Sequence, residues 1–74
     1  MNPMNWKMEA RRALRVELVR KEISYKVLAA LLEKIDVHET ERSIQNKMAR
    51  GTFSFAFFLQ CMKAIGTTKV DLGQ

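Results

Sequence analysis

The stretch from Ser24 to Gly51 constrains the fold most, because it contains two helix signals separated by a short connection. In its first half, apolar side chains recur at i, i+3, i+4 and i+7, and these are Leu28, Leu31, Leu32 and Ile35. This spacing predicts an amphipathic helix over about 25–34 that begins at Ser24, whose hydroxyl can accept a backbone hydrogen bond. The second half carries polar, mostly basic side chains and ends at Gly51, a residue type that readily closes a helix. A helix that packs by one face is therefore followed by a helix with an exposed polar face.

Within the second of these helices, Ile44 and Met48 lie four positions apart and are predicted to point into the core. The rotation of about 100° per residue then sets a polar group on the opposite side, comprising Glu39, Arg42, Asn46 and Arg50, with Ser43 and Gln45 flanking them. Two starts remain open for this helix. Asp36 is a possible cap, with Glu39 three residues on as in a capping box, and Thr40 is a second candidate.

The chain before this stretch predicts a helix from a cap at Asn5 to about Glu22. Its expected buried face consists of residues at helical spacing, namely Trp6, Ala10, Ala13, Leu14 and Leu18, widened by Val16, Val19 and Ile23. Basic residues occupy the remaining surface: Lys7, Arg11, Arg12, Arg15, Arg20 and Lys21. Such a run of charges is usually a solvated helix face, and the alternative is phosphate contact by one or two of them. Residues 1–5 are expected to form a flexible arm.

The chain after Gly51 predicts a further helix over about 55–65, with Thr52 or Ser54 as its cap. Its apolar stripe comprises Phe55, Phe58, Leu59, Met62 and Ile65, extended around the helix by Phe57, Cys61 and Ala64. A helix that is apolar nearly all round is buried on more than one side, so we expect it to be the central packing element and a candidate dimer contact. Residues 67–74 form a tail, for which a short strand, an extended strap over the core and a one-turn fifth helix are the alternatives. The chain therefore predicts an all-α, compact bundle of four to five short helices.

The amino-acid composition and charge limit the classes of function that this chain can have. The chain has 74 residues, with 13 Lys and Arg against 8 Asp and Glu, and its net charge of +5 fits an anionic partner, with nucleic acid ahead of a membrane. The alternative is a basic protein that has no polyanionic partner. A domain this short is marginally stable alone, so a homodimer is expected. No apolar run approaches the roughly 20 residues that span a bilayer, and no signal-peptide pattern is present, so we expect a cytoplasmic protein.

Catalytic and metal chemistry have little support in the sequence. Cys61 and His38 are the only residues of their types, which excludes an intrachain disulfide and favours neither a metal site nor a cofactor. No glycine-rich phosphate loop exists, and Ser43 shares no element with a suitable base. An enzyme is therefore not expected.

The exposed polar helix carries side chains that suit recognition of DNA. Arginine can donate two hydrogen bonds to guanine, asparagine and glutamine can bond adenine, and serine can donate or accept. The candidate base-reading residues are therefore Arg42, Ser43, Gln45 and Asn46. Lys47 and Arg50 are candidate phosphate contacts, as are Tyr25 and Lys26 in the first turn of the preceding helix, where free N–H groups favour an anion. Tyr25 could equally be a half-buried packing residue, and an exposed polar face taken alone is more often merely solvated.

From about 14 to 66, the chain resembles the Xre/Cro type of lambda-repressor-like helix-turn-helix domain. The segment SerTyrLysValLeuAla at 24–29 is similar to the start of that family's second helix, and ArgGly at 50–51 is similar to the end of its third. The runs 40–53 and 57–66 are more closely similar to a family of small bacterial proteins of unknown function. The chain departs from the Xre pattern at Tyr25, where a phosphate-contacting Gln is frequent, and in a longer connection between the two helices.

This resemblance implies a helix-turn-helix domain over 6–66 that binds double-stranded DNA, with its third helix in the major groove. It implies a small prokaryotic or phage-type transcriptional regulator that acts as a homodimer. The alternative is a protein-interaction module, in which the same bundle binds a toxin or a larger regulator through its Phe-rich last helix or its basic first helix. An exposed apolar patch of several hundred Å² would favour that alternative.

Overall fold

Four side-chain caps define where the helices begin. The computed structural model describes residues 5–70 and 72, and its helices are α1 (Trp6–Arg20), α2 (Tyr25–Glu33), α3 (Glu41–Arg50) and α4 (Phe55–Ile65). Before each helix, a side-chain oxygen accepts a hydrogen bond from the backbone N–H three positions on, at 2.9–3.2 Å. Each such cap satisfies a donor that the helix start leaves free and contributes about 1 kcal/mol. The capping residues are Asn5, Ser24, Thr40 and Ser54, which confirms the predicted caps of α1 and α2 and decides for Thr40 in α3 and for Ser54 in α4.

Two residues in left-handed conformation shorten the predicted helices. The predicted end of α1 at Glu22 is wrong by two residues, because Glu22 has φ +56° and cannot continue the helix. Of the two candidate caps of α3, Asp36 is excluded, because it has φ +61° in the turn that ends α2, whereas caps adopt extended backbone. The capping box is formed by Thr40 with Ser43 instead of Asp36 with Glu39. Ile35 lies beyond the end of α2 and is exposed rather than buried.

All four helices contribute to one hydrophobic core. Its members are Leu14, Leu18, Leu28, Leu32, Ile44, Met48, Phe57, Cys61, Met62 and Ile65. α2 packs on both α3 and α4, and α4 also packs on α1, so α2 and α4 share the central position predicted for α4 alone. Burying a Leu, Ile, Phe or Met side chain contributes about 1.5–3 kcal/mol. The inward orientation predicted for Ile44 and Met48, which sets the outer face of α3, is confirmed.

The buried face of α1 is narrower than its apolar pattern predicted. Trp6 is 74% exposed and Val19 is 67% exposed, although both were expected in the core. Trp6 occupies the first position of the helix, and Val19 is rotated by about 100° from the buried Leu18. Glu17 takes a buried position instead, with its carboxylate 3.1 Å from the Arg20 guanidinium.

The buried face of α4 also differs from the predicted stripe. Phe57, Cys61 and Ile65 are buried at i, i+4 and i+8, together with Met62. Two apolar side chains that the sequence predicted in the core lie on the far side of the helix, where Phe55 is 72% exposed and Leu59 is 51% exposed. They are displaced by two positions from the buried row, which corresponds to a rotation of about 200°.

The segment after α4 has no regular structure in its described part. The Thr67 N–H donates to the Met62 carbonyl at 2.9 Å and closes the helix. Val70 and Leu72 are both exposed, which does not support the strap over the core that was one of the alternatives. The described residues contain no strand and no fifth helix. The rest of the predicted tail (71, 73 and 74) and positions 1–4 of the predicted arm lie outside the described residues.

Candidate nucleic-acid interface

The outer face of α3 presents three of the four candidate base-reading residues. Arg42, Gln45 and Asn46 are exposed on the side of the helix away from Ile44 and Met48. Within the described part of the chain, their side chains form no hydrogen bond or ion pair. They line an open depression together with Thr40 and Glu41. This face can therefore meet a ligand without first breaking contacts inside the protein.

Ser43 and Lys47 turn to the side of α3 and bind the connection before it. The Ser43 hydroxyl donates to the Glu39 carboxylate at 2.6 Å, and its oxygen accepts from the Thr40 N–H at 3.1 Å. The Lys47 ammonium lies 3.0 Å from Glu39 and 5.2 Å from the centroid of the Phe57 ring. Base contact by Ser43 and phosphate contact by Lys47 stay predictions, but both groups already have partners within the protein.

Glu39 is the acceptor that joins these two side chains. Partial burial opposes its ionisation, but hydrogen bonds from Ser43 and Lys47, with the charge of Lys47, outweigh burial and lower the pKa of Glu39 below its usual 4.5. The carboxylate therefore stays charged at neutral pH and neutralises Lys47. The start of α3 is fixed both by its Thr40 cap and by this cluster of Glu39, Ser43 and Lys47.

The first turn of α2 contains two more of the predicted phosphate contacts. Lys26 is exposed, whereas Tyr25 is half-buried and packs against the core. The Tyr25 hydroxyl accepts a hydrogen bond from the Arg15 guanidinium at 2.9 Å. A phenol that accepts one hydrogen bond still has its own proton to donate. Tyr25 therefore combines the packing role with a hydroxyl that can donate to an anion.

Two arginines of α1 extend the basic surface to the edge of α3. Arg11 and Arg15 line a groove of about 330 Å³ together with Tyr25 and Gln45. One nitrogen of Arg11 lies 3.4 Å from the carbonyl oxygens of both Met48 and Ala49, near the negative end of the α3 dipole. The sequence left open which cations of α1 could contact phosphate. The four-residue spacing of Arg11 and Arg15 indicates that they share one face of α1. Only the packing of α1 beside α3 shows that these two arginines lie next to the edge of α3.

A close backbone approach holds the start of α1 against the end of α3. Gly51 closes α3 with φ +67°, and a Cβ at this position would lie 2.7 Å from the Lys7 carbonyl oxygen. Glycine is therefore required both by its conformation and by its neighbour. Arg50, the last predicted phosphate contact, directly precedes this point and is exposed.

Residues 5–70 and 72 contain neither a cluster of metal-binding side chains nor a membrane-spanning helix. No group of three or more His, Cys, Asp or Glu side chains there could hold a metal ion. Of the four helices, none combines the length and apolarity needed to cross a bilayer.

A known protein family matches nearly the whole described chain. The family described as Domain of unknown function (DUF6471) matches residues 6–70, which include all four helices. This agrees with the resemblance to a family of unknown function. No curated protein and no solved structure matches the chain.

Proposed function

Since the chain belongs to the DUF6471 family, whose function is unknown, we propose a function from its geometry: it binds double-stranded DNA through α3 and regulates transcription. The outer face of α3 carries this proposal. Arg42, Gln45 and Asn46 are the side-chain types that recognise guanine and adenine edges in the major groove. All three are exposed on one side of a helix whose other side is buried in the core.

In this proposal, α2 and α3 act as the helix-turn-helix of a lambda-repressor-like domain. Support comes from the packing of α2 on α3 and from the separate caps at Ser24 and Thr40. α2 would cross the DNA backbone while α3 enters the major groove. Glu39, Ser43 and Lys47 would hold the angle of α3, so we assign Ser43 and Lys47 a supporting role next to the base-reading face.

The phosphate contacts in this proposal come from three helices. Lys26 and the Tyr25 hydroxyl would bind at the start of α2, Arg50 would bind at the end of α3, and Arg15 would act beside Tyr25. Phosphate contacts position a protein on DNA without reading its sequence. They would supply most of the salt-dependent affinity, because each neutralised phosphate releases counterions.

We further propose that the protein acts as a homodimer through the exposed side of α4. Phe55 and Leu59 are large apolar side chains exposed to solvent, and the rings of Phe55 and Phe58 stack with their centroids 6.3 Å apart. A two-fold dimer would present two α3 helices to half-sites about 34 Å apart. The DNA target would then be a pseudo-palindrome.

The test is selection from a randomised duplex pool over a salt series, followed by measurement of variants on the enriched sequence. Arg42→Ala or Asn46→Ala should cost about 1–3 kcal/mol in binding and relax the preference at one base pair. Lys34→Ala is the control, because it removes one exposed charge that belongs neither to the proposed DNA contacts nor to the proposed dimer surface. Should Arg42→Ala and Asn46→Ala bind like the control, α3 is not the recognition helix.

A second candidate function is a protein-interaction module. The specific observation in its favour is the exposure of Trp6 and Val19 on α1, which no DNA contact would explain. Absence of DNA binding even at about 50 mM salt, where phosphate contacts are strong, would favour this second function.

A further inference from the structure

The outer face of α1 contains an apolar groove, and of the residues that line it the proposed DNA contacts use only Arg15. Met8, Val16 and Val19 line its floor, with Met8 54% exposed. The groove has a volume of about 620 Å³ and extends along most of the helix. It lies on the side turned away from the buried Leu14 and Leu18.

The border of this groove is strongly basic. Four arginines line it, namely Arg11, Arg12, Arg15 and Arg20, and two of them have acidic partners: Glu9 lies 3.3 Å from the Arg12 guanidinium, and Glu17 lies 3.1 Å from that of Arg20. A ligand that covers an apolar surface between cations must match both features. The occupant must bury apolar surface and carry negative charge beside that surface.

Three occupants fit this requirement poorly. A second copy of α1 would bring the same four arginines against their equivalents. Nucleic acid would pair with the arginines but would leave Met8 and Val19 without apolar contacts. An anionic bilayer would need a broad apolar face to enter, and three apolar side chains among four arginines do not provide one.

We propose that the outer face of α1 docks an acidic amphipathic helix of a partner protein. Apolar side chains of that helix, spaced at i, i+3 or i+4, and i+7, would fill the groove over Met8 and Val19. Asp and Glu on its flanks would pair with the arginines in charge-assisted hydrogen bonds. This site goes beyond the proposed DNA binding and does not depend on it.

The experiment uses the full chain as bait for a displayed library of helices with varied flanks and varied apolar positions. The library is enriched on the parent chain and counter-selected on Val19→Glu, which puts a carboxylate at an exposed position of the groove. We expect the enriched helices to be net acidic and amphipathic. Met8→Glu and Val19→Glu should each weaken the binding of a synthetic enriched peptide at least tenfold.

Val27→Glu is the matched control, because Val27 is an exposed valine on α2 and its substitution should change binding less than twofold. NMR shifts on peptide addition should fall on α1. No enrichment, enrichment of neutral or basic helices, or equal loss with Val27→Glu would overturn the proposal. Binding of anionic phosphatidylserine vesicles that Val19→Glu abolishes would overturn it in favour of a membrane surface.

Discussion

At the scale of single residues, the two helix-closing glycines differ in what surrounds them. Gly51 and Gly66 both have positive φ, but only Gly51 faces backbone, the Lys7 carbonyl at 2.7 Å from an added Cβ. At Gly66 the nearest atom is the flexible end of Lys21 at 3.8 Å. We expect Gly66→Ala to lower the free energy of unfolding by about 1 kcal/mol through backbone strain, and Gly51→Ala by about 2–3 kcal/mol through strain and displacement of α1. Urea unfolding of both variants measures this; equal losses would contradict the close approach.

The Glu39 cluster predicts a pH effect on stability. Because its folded pKa is lowered, Glu39 contributes stability above its unfolded pKa, about 4.5, and this contribution is lost as pH falls through the folded pKa. Glu39→Gln should be less stable than the parent near pH 7, and the difference should narrow toward about pH 3. Urea unfolding of both proteins over this range tests it. A constant difference would show that the charge of Glu39 is not what joins Ser43 and Lys47.

Single residues also show which contacts a sequence can reveal. The caps at Asn5, Ser24 and Ser54 were predictable because the atoms that bond lie only three residues apart. The Arg15–Tyr25 hydrogen bond was not, because it spans ten residues and depends on how α1 packs. The same limit applies to Lys47, whose paired state follows from the position of Glu39 in an irregular connection.

At the scale of the helices, periodicity predicted their order and approximate bounds better than their buried faces. Every apolar residue of α4 satisfies a helical spacing with several others, so the pattern could not decide between the rows of Phe55 and Phe57. The decision comes from which neighbours are present, since α1 and α2 pack on one side of α4. In α1, similarly, Glu17 is buried and Val19 is not.

The start of α3 gives a prediction at this scale. Thr40 caps α3, whereas Thr52, the rejected candidate for α4, caps no helix. Thr40→Ala should lower the free energy of unfolding by about 1 kcal/mol, and Thr52→Ala should change it by less than about 0.5 kcal/mol. Chemical denaturation followed by circular dichroism distinguishes them. Similar effects from both substitutions would mean that the capping box adds nothing to stability.

At the scale of the whole molecule, the exposed side of α4 predicts self-association. Phe55→Glu should raise the dimer dissociation constant at least about tenfold, or about 1.4 kcal/mol, because it places a carboxylate among apolar rings. Ala30→Glu, at an exposed position on α2, is the matched control. Sedimentation equilibrium over a concentration series measures both. A parent chain that stays monomeric at every concentration would refute the α4 dimer without affecting recognition by α3.

The position of the only cysteine has a chemical consequence. Cys61 is fully buried in the core, and burial, aided by the negative charge of Glu39 and opposed by Lys47, raises its pKa to about 12. Thiol reagents attack the thiolate, so in the folded chain Cys61 has neither the accessibility nor the ionisation that the reaction needs. Cys61 can therefore be modified only when the bundle opens, and the modification rate depends on how readily the core opens. A disulfide reagent such as dithiobisnitrobenzoate can therefore follow the opening of the core through Cys61, without any added label.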